Sequence, residues 1–306
     1  MLRGLRPRRS VRNARGVRAA ARATPARIAR YYGDLTDEYA AYGGDAGGWN
    51  YGLWEDGVMT HQQALVRGNA ALVHGLGVGP DTRVLDLGCG CGGLATWLAE
   101  RFGCPTTGIT ICRPHLALAR KRARDAGLSS RCTFRLGDMD RLPFGDESFD
   151  VAIHQETFCY SRDKAACLAG VRRVLAPGGV WSASDFSLRE GRLARGERDE
   201  LDKVLRGFHL PSLARPSETV RWLARSGFVD VEVVDLTPLV LPSAAMIMRR
   251  SHGPLALARA FPRRRLHAAA AGRERNVRGH FEAGMAYSIG LHTGLFRQVL
   301  YRARRP

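Results

Sequence analysis

VLDLGCGCGG, from Val84 to Gly93, decides the fold of this chain. Its first half continues an apolar run that begins at Thr82 and suits a short strand buried on both faces of a parallel sheet. Its second half predicts a tight turn, because glycine tolerates positive φ and lets the backbone approach a ligand closely. A dinucleotide-binding turn has the pattern G-x-G-x-x-G and an acidic residue about 20 residues downstream. Here Asp86 stands directly before the turn, where it can hold an ammonium group or brace the loop.

Strands and helices alternate from Asp81 onward. Apolar runs predict seven strands, over 82–87, 105–111, 132–136, 149–154, 180–186, 229–236 and 296–302. Helices are predicted from Gly93 to about Phe102, from Pro114, from Asp163 to Ala176 with a stop at Pro177-Gly178-Gly179, and after Ser217 as the N-cap. This alternation predicts an α/β fold, a doubly wound parallel sheet with helices on both faces.

Three segments lie outside the strand pattern. Residues 1–30 are predicted to be a basic disordered tail that precedes an aromatic-rich segment at 31–80. Residues 81–306 form the α/β domain, which carries a 58-residue insertion at 237–294. The aromatic segment and the insertion are predicted to fold as lids over the carboxyl edge of the sheet, where ligands bind in such folds.

The net charge of +18 is confined to two segments. Residues 1–30 contain ten Arg and no acidic residue, and residues 249–278 contain nine Arg against Glu274 alone. The rest of the chain is neutral, which argues against a basic groove in the body of the domain and against a specific nucleic-acid partner.

Composition also bears on the cellular compartment. The N-terminus lacks the apolar core of a secretory signal, and a tail is favoured over an organellar transit peptide because Ser10 is its only serine. Seven Cys without paired CxxC motifs indicate neither a disulfide framework nor a zinc site, and no apolar run has the length of a membrane span. We expect a reduced cytoplasmic protein without a bound metal, and organellar targeting by the Arg-rich N-terminus stays open.

Three further motifs follow the glycine-rich turn in order. They are Gly137-Asp138-Met139 after the third strand, Leu142-Pro143-Phe144 with Ser148-Phe149-Asp150 before the fourth, and VRRVLAPGG at 171–179 before the fifth. Together with VLDLGCGCGG they resemble the class I S-adenosylmethionine-dependent methyltransferases, over most of residues 31–306. The resemblance implies a Rossmann-like fold whose seven-stranded, mostly parallel sheet has an antiparallel last strand, with S-adenosylmethionine as cofactor. It also implies that Asp138 bonds the adenine amino group and that Met139 lies against the ring.

Within that class the chain is similar to the group of sterol C-methyltransferases and tocopherol methyltransferases. The similarity rests on Gly108-Ile109-Thr110-Ile111-Cys112, on Glu156 to Lys164 (ETFCYSRDK), and on the aromatic segments Tyr31-Tyr32-Gly33 and Gly48 to Trp54. In this group the Thr after the second strand and its adjoining backbone contact the ribose. The resemblance implies a cofactor site made of Tyr32, Tyr51, Asp86, Gly88, Cys89, Gly90, Gly92, Thr110, Ile111, Cys112, Asp138, Met139 and Gln155.

Residues just past the fourth strand face the transferred methyl group in this fold. Glu156, Tyr160 and His154 are therefore the catalytic candidates, although Tyr160 replaces the family's His and His154 also fits a core position inside the strand. Glu156 suits a general base, a partner for a substrate cation or a hydrogen-bond acceptor for the cofactor. His209, His280 and His292 in the lid regions are unranked alternatives for the base.

The resemblance and the apolar insertion predict methylation of a lipophilic or specialised small molecule at carbon or oxygen. An amine N-methyltransferase, an RNA methyltransferase that uses the basic tail, and a cyclase that retains the cofactor fold remain alternatives. Arg249-Arg250 and Arg263 to Arg265 suit a substrate phosphate, peripheral contact with an anionic membrane, or a solvated face, of which the last is favoured. The oligomeric state is not predicted.

Overall fold

A seven-stranded sheet forms the centre of the computed structural model, which describes residues 23–37, 50–260 and 268–306. Its strands are β1 (Val84–Leu87), β2 (Thr106–Thr110), β3 (Cys132–Leu136), β4 (Phe149–Gln155), β5 (Leu175–Leu188), β6 (Val229–Asp235) and β7 (Phe296–Arg304). They lie in the order β3-β2-β1-β4-β5-β7-β6. Within the described sheet, β7 pairs antiparallel with both β5 and β6, whereas β1 to β5 pair parallel with one another. The predicted fold class and its antiparallel last strand are confirmed.

Helices cover both faces of this sheet. They are α1 (Pro25–Asp34), α2 (His61–Val73), α3 (Gly93–Phe102), α4 (Arg113–Asp125), α5 (Lys164–Val174), α6 (Arg195–Gly207), α7 (Pro216–Arg225), α8 (Thr237–Ala260) and α9 (Ala268–Thr293), with a 3₁₀ turn at Phe158–Tyr160. Successive side chains of a strand point to opposite faces, so Val151 and Ile153 join the apolar cluster under α8 and α9. Ala152 joins the cluster under α5 and α7 on the other face.

The turn at Pro177-Gly178-Gly179 differs from the prediction. Helix α5 ends at Val174, and the chain is already extended at Leu175, which pairs with Phe149 of β4. The Gly178 N–H donates to the Arg305 carbonyl over 2.9 Å, so the last residues of the chain hold this stretch in the sheet. A β-bulge between Phe149 and Val151 accommodates the extra residues.

The predicted N-cap at Ser217 is wrong. Helix α7 begins at Pro216, whose fixed φ suits the first helical position, and Arg215 is the N-cap. The Glu218 carboxylate accepts from the Arg215 N–H over 2.9 Å, while Ser217 donates to Glu190.

The boundary between the predicted basic tail and the aromatic-rich segment was placed at residue 30. In the structure, helix α1 begins earlier, at Pro25, with Thr24 as its N-cap. Residues 1–22 of the predicted tail lie outside the described residues, as do Gly48, Trp49 and Arg263 to Arg265.

Helices α8 and α9 make up most of the insertion and pack against each other. A side chain on Gly207 of α6 would collide with the Gly279 carbonyl of α9, so glycine permits this close helix crossing. Helix α1 packs against α4 and α9, which brings the N-terminal segment and the insertion together above the sheet. Across the described ranges, no helix combines the length and apolarity that a membrane span requires.

Candidate active site

A cavity lies at the carboxyl ends of β1 to β4, beneath the N-terminal segment and the insertion. Each of these four strands ends in a polar side chain that lines it. From the edge of the sheet inward they are Asp138 after β3, Thr110 on β2, Asp86 on β1 and Glu156 after β4. Because neighbouring strands are about 4.8 Å apart, the four side chains form a row along the cavity floor.

Asp86 is a buried carboxyl without full hydrogen bonding. Its Oδ2 has no hydrogen-bond partner among the described residues, although the side chain is only 2% exposed. Burial raises the pKa of Asp86 to about 7. An unpaired buried carboxyl oxygen is costly unless a ligand satisfies it, and an ammonium group does so best.

The glycine-rich turn brings backbone up to the cavity. Gly88 has φ +84°, and a Cβ there would lie 2.7 Å from Cγ2 of Thr157. Gly90 has φ +51° and nothing within 4 Å of the place where a Cβ would stand, so the loop presents bare backbone to the cavity. Gly92, which was also predicted for the cofactor site, is not among the residues that line the cavity. It caps α3 at φ +82°, and its Cβ would lie 2.9 Å from Cβ of Ala119.

Two polar groups follow along the row toward the sheet edge. The Thr110 hydroxyl accepts from the Cys112 N–H over 3.2 Å, which leaves its own proton to donate. The Asp138 carboxylate accepts from the Asp140 N–H over 3.0 Å and from Nη2 of Arg162 over 2.7 Å. Each carboxylate oxygen has two lone pairs, so Asp138 retains capacity for a further donor.

Glu156 lies at the opposite end of the row in a strained backbone conformation. Its φ of +53° is in the left-handed region, which costs a non-glycine residue about 1–2 kcal/mol. Oε1 accepts from the Tyr51 N–H over 2.8 Å and from Nε2 of Gln298 over 3.5 Å. Burial, with a smaller contribution from the charge of Asp185, raises the pKa of Glu156 to about 8 despite the bond from Tyr51. This carboxyl is therefore poised to change protonation near neutral pH.

Aromatic rings connect Glu156 to the lid. Tyr51, which bonds Glu156, packs edge-on against Phe186 with ring centroids 5.8 Å apart. Phe208 stands 6.1 Å beyond Phe186 and 5.4 Å from the His280 ring. Phe186, Phe208 and His280 all line the cavity.

Of the three predicted alternatives His209, His280 and His292, His280 lines the cavity. Its Nδ1 shares a 2.6 Å hydrogen bond with the Tyr31 hydroxyl, and burial lowers the pKa of His280 to about 3. His209 instead bonds Asn276 over 3.1 Å, and His292 bonds the Ser288 carbonyl over 2.8 Å. Neither His209 nor His292 lines the cavity.

The placement of His154 does not support its predicted catalytic role. The residue is fully buried within β4, which ends one residue later at Gln155. Nδ1 of His154 accepts from Nε1 of Trp181 over 2.9 Å, and burial lowers the pKa of His154 to about 3. It is a core residue that faces away from the cavity.

The other predicted residues come together in this cavity. It is lined by the predicted catalytic residues Glu156 and Tyr160 and by the predicted cofactor residues Tyr32, Tyr51, Asp86, Gly88, Cys89, Gly90, Thr110, Ile111, Cys112, Asp138, Met139 and Gln155. The sequence motifs gave no role to Asn69, Arg162 and Phe186, which also line it. Oδ1 of Asn69 accepts from Nε2 of Gln155 over 2.9 Å. The sequence around Asn69 in α2 contains no motif that predicts this contact.

This row of groups fits S-adenosylmethionine. The unpaired oxygen of Asp86 suits its ammonium group, the Thr110 hydroxyl suits a ribose, and Asp138 suits an exocyclic amine. The bare backbone of the glycine-rich turn permits close approach between these points.

Comparison with known proteins agrees with that fit. Residues 84–179 match the family model described as a methyltransferase domain. The methyltransferase GfsG of Streptomyces halstedii is 31% identical over 206 residues, which cover 65% of this chain and 72% of that protein. The 24-methylenesterol C-methyltransferase 2 of Oryza sativa subsp. japonica is 31% identical over 232 residues, which cover 73% of this chain and 62% of the rice enzyme.

Solved structures share the fold. Geranyl diphosphate C-methyltransferase from Streptomyces coelicolor A3(2), in complex with Mg²⁺, geranyl diphosphate and S-adenosyl-L-homocysteine, superposes with a TM-score of 0.68 at 19% identity, covering 90% of this chain and 98% of that one. The [4+2]-cyclase SpnF superposes with a TM-score of 0.73 at 25% identity, covering 92% of this chain and 97% of SpnF. With the motifs, the cavity and these relatives in agreement, the chain belongs to the class I S-adenosylmethionine-dependent methyltransferases, and S-adenosylmethionine is its cofactor.

Proposed function

We propose that this enzyme methylates a carbon or oxygen atom of an apolar specialised metabolite, and that Glu156 takes up the proton that the acceptor loses. The observation that carries this proposal is the position of Glu156. Its carboxyl lines the cavity at the end of β4, next to the strand that carries Asp86, and its pKa is raised to about 8. A general base works best when its pKa is near the working pH.

The walls of the cavity support an apolar acceptor. Ile28, Leu65, Phe186, Phe208 and Ile247 give the cavity much apolar surface, beside polar side chains such as Asn69, Gln155 and His280. Apolar walls with a few converging polar groups are typical of sites for small organic ligands. The sterol substrate named for the rice relative is of the same apolar character.

S-adenosylmethionine supplies a methyl group activated by attachment to a positively charged sulfur. The protein then has to orient the acceptor in line, exclude water and accept a proton. Glu156 is held for that purpose by the Tyr51 N–H and by Gln298, which is itself fixed by a 3.1 Å bond to Oγ of Ser184. Tyr160 and Tyr32, whose rings lie 5.5 Å apart, close the cavity beside it.

Two other functions compete with this proposal, namely N-methylation of an amine and a cyclisation. The same tyrosines beside a carboxyl would suit a cationic amine, because aromatic faces attract ammonium groups. The similarity to SpnF supports a cyclase that uses this fold without methyl transfer.

The test is transfer of an isotopically labelled methyl group from S-adenosylmethionine to a panel of terpenoid, quinol and amine acceptors, followed by mass spectrometry. We expect labelled product from an apolar hydroxyl or alkene acceptor, and a loss of roughly 10²–10⁴-fold in rate for Glu156→Gln. Glu147→Gln is the matched control. Glu147 also has a left-handed backbone, at φ +58°, but its side chain pairs with Arg305 outside the cavity.

Three outcomes would contradict the proposal. Labelled product from amines alone would assign N-methylation. Conversion of an acceptor without a mass increase would assign cyclisation. Equal rates for Glu156→Gln and the wild type would exclude Glu156 as the base.

A further inference from the structure

Arg162 links two segments that meet at the outer end of the cavity. Its Nη2 donates to Oδ2 of Asp138 over 2.7 Å, and its Nε donates to Oδ2 of Asp140 over 3.0 Å. The Arg162 backbone N–H and the Ser161 hydroxyl also donate to Asp140, over 3.1 Å and 2.7 Å. One guanidinium thus bridges two carboxylates of the loop after β3.

The sheet order indicates which part of the cofactor Asp138 faces. Asp86 stands at the end of β1, Thr110 at the end of β2 and Asp138 beyond the end of β3. If the ammonium group lies at Asp86 and the ribose at Thr110, the next group along the row is the adenine. Asp138, as a carboxylate, can only accept, and the adenine amino group is the donor on that base.

We propose that Arg162 is a positioning residue for adenine recognition, which holds the Asp138 carboxylate so that its remaining lone pairs face the adenine amino group. This rests on the predicted contact between Asp138 and adenine. The guanidinium fixes one oxygen of Asp138 and the Asp140 N–H fixes the other, so the carboxylate cannot rotate freely. Arg162 also offsets the repulsion between Asp138 and Asp140.

The planar fork of arginine is required for this arrangement. Nε and Nη2 reach two different carboxylates at once, whereas a lysine ammonium offers a single compact charge. Arg162 lines the cavity, and its side chain is about one-third exposed. Its loss should change the orientation of Asp138 more than it changes the fold.

The experiment compares calorimetric titrations of S-adenosylhomocysteine and of its analogue with purine in place of adenine, which lacks the amino group. We expect the wild type to prefer S-adenosylhomocysteine by about tenfold or more, the value of a hydrogen bond to a charged group. Arg162→Gln should reduce that preference to about threefold or less while the affinity for the purine analogue stays within about twofold. Arg162→Lys should restore only part of the preference.

Arg83→Gln is the matched control. Arg83 forms an equally short fork with Asp150, with contacts of 2.7 and 3.1 Å, but it lies outside the cavity. We expect this variant to keep the wild-type preference.

Several results would overturn the inference. An equal loss of affinity for both ligands in Arg162→Gln would show a direct or general structural role instead. If Asp138→Asn removed the preference and Arg162→Gln kept it, Asp138 would recognise adenine without help from Arg162. A wild type that binds both ligands equally would exclude the underlying contact with Asp138, while its binding of S-adenosylhomocysteine would leave cofactor use intact.

Discussion

The Tyr51 backbone N–H donates to Oε1 of Glu156 over 2.8 Å, although the two residues are 105 positions apart. This bond joins the N-terminal segment to the loop after β4. It orients the Glu156 carboxyl, which lines the cavity. Since the donor is a backbone N–H, most substitutions of the Tyr51 side chain leave this hydrogen bond available.

The pH dependence of methyl transfer should follow the protonation state of the Glu156 carboxyl. The pKa of about 8 means that the group is mostly protonated at neutral pH, and only the carboxylate can accept a proton. We expect kcat/KM to rise about tenfold per pH unit below the pKa and to level off above it. Stopped-time assays with the acceptor found in the panel measure this profile. A rate independent of pH between about 6 and 9 would contradict the role of Glu156 as base.

A side chain at Gly88 should lower the free energy of unfolding, because it would collide with Thr157. Gly57→Ala is the control, because Gly57 has φ +82° and open space around the place of a Cβ. It should lower the free energy of unfolding by about 1–2 kcal/mol, through backbone strain alone. Gly88→Ala has a similar φ of +84° and adds a collision with Thr157, which should cost about 1–3 kcal/mol more. Urea unfolding of both variants measures the difference. Equal costs would show that the turn can move away from Thr157.

The bond between Tyr31 and His280 should stabilise the lid. Tyr31→Phe leaves Nδ1 of His280 without that partner in a buried site, and the expected loss is about 1–3 kcal/mol of unfolding free energy. His280→Phe should cost a similar amount. Because the bond can be lost only once, the double variant should lose less than the sum of the two. Additive losses in urea unfolding would mean that the two side chains do not interact energetically.

Local patterns predicted the parts of the structure that depend on local sequence. The apolar run and glycine turn at 84–93 identified β1 and the start of α3. The position of Glu156 followed from the rule that ligands lie beyond the carboxyl ends of parallel strands. Cys132–Leu136 was predicted with the bounds that β3 has.

Contacts between distant segments could not be predicted in this way. For His154 the sequence left a catalytic and a core position open, and the contact that favours the core position, with Trp181 of the neighbouring strand β5, has no local signal. Tyr31 and His280 are 249 positions apart, and the partners of Arg162 come from a separate loop. Such pairs arise from tertiary packing and have no periodic or motif signal.

Cofactor binding at Asp86 is tested most directly by calorimetric titration with S-adenosylhomocysteine across a range of pH. The ligand-free pKa of about 7 means that a proton must leave Asp86 before an ammonium group binds well. We therefore expect one-to-one binding that is tightest near about pH 8 and weakens about tenfold per pH unit below the pKa of Asp86. Asp86→Asn should bind weakly and without this pH dependence, whereas Asp150→Asn, outside the cavity, should behave as the wild type. Undiminished binding by Asp86→Asn, or no binding by the folded wild type, would contradict the assignment.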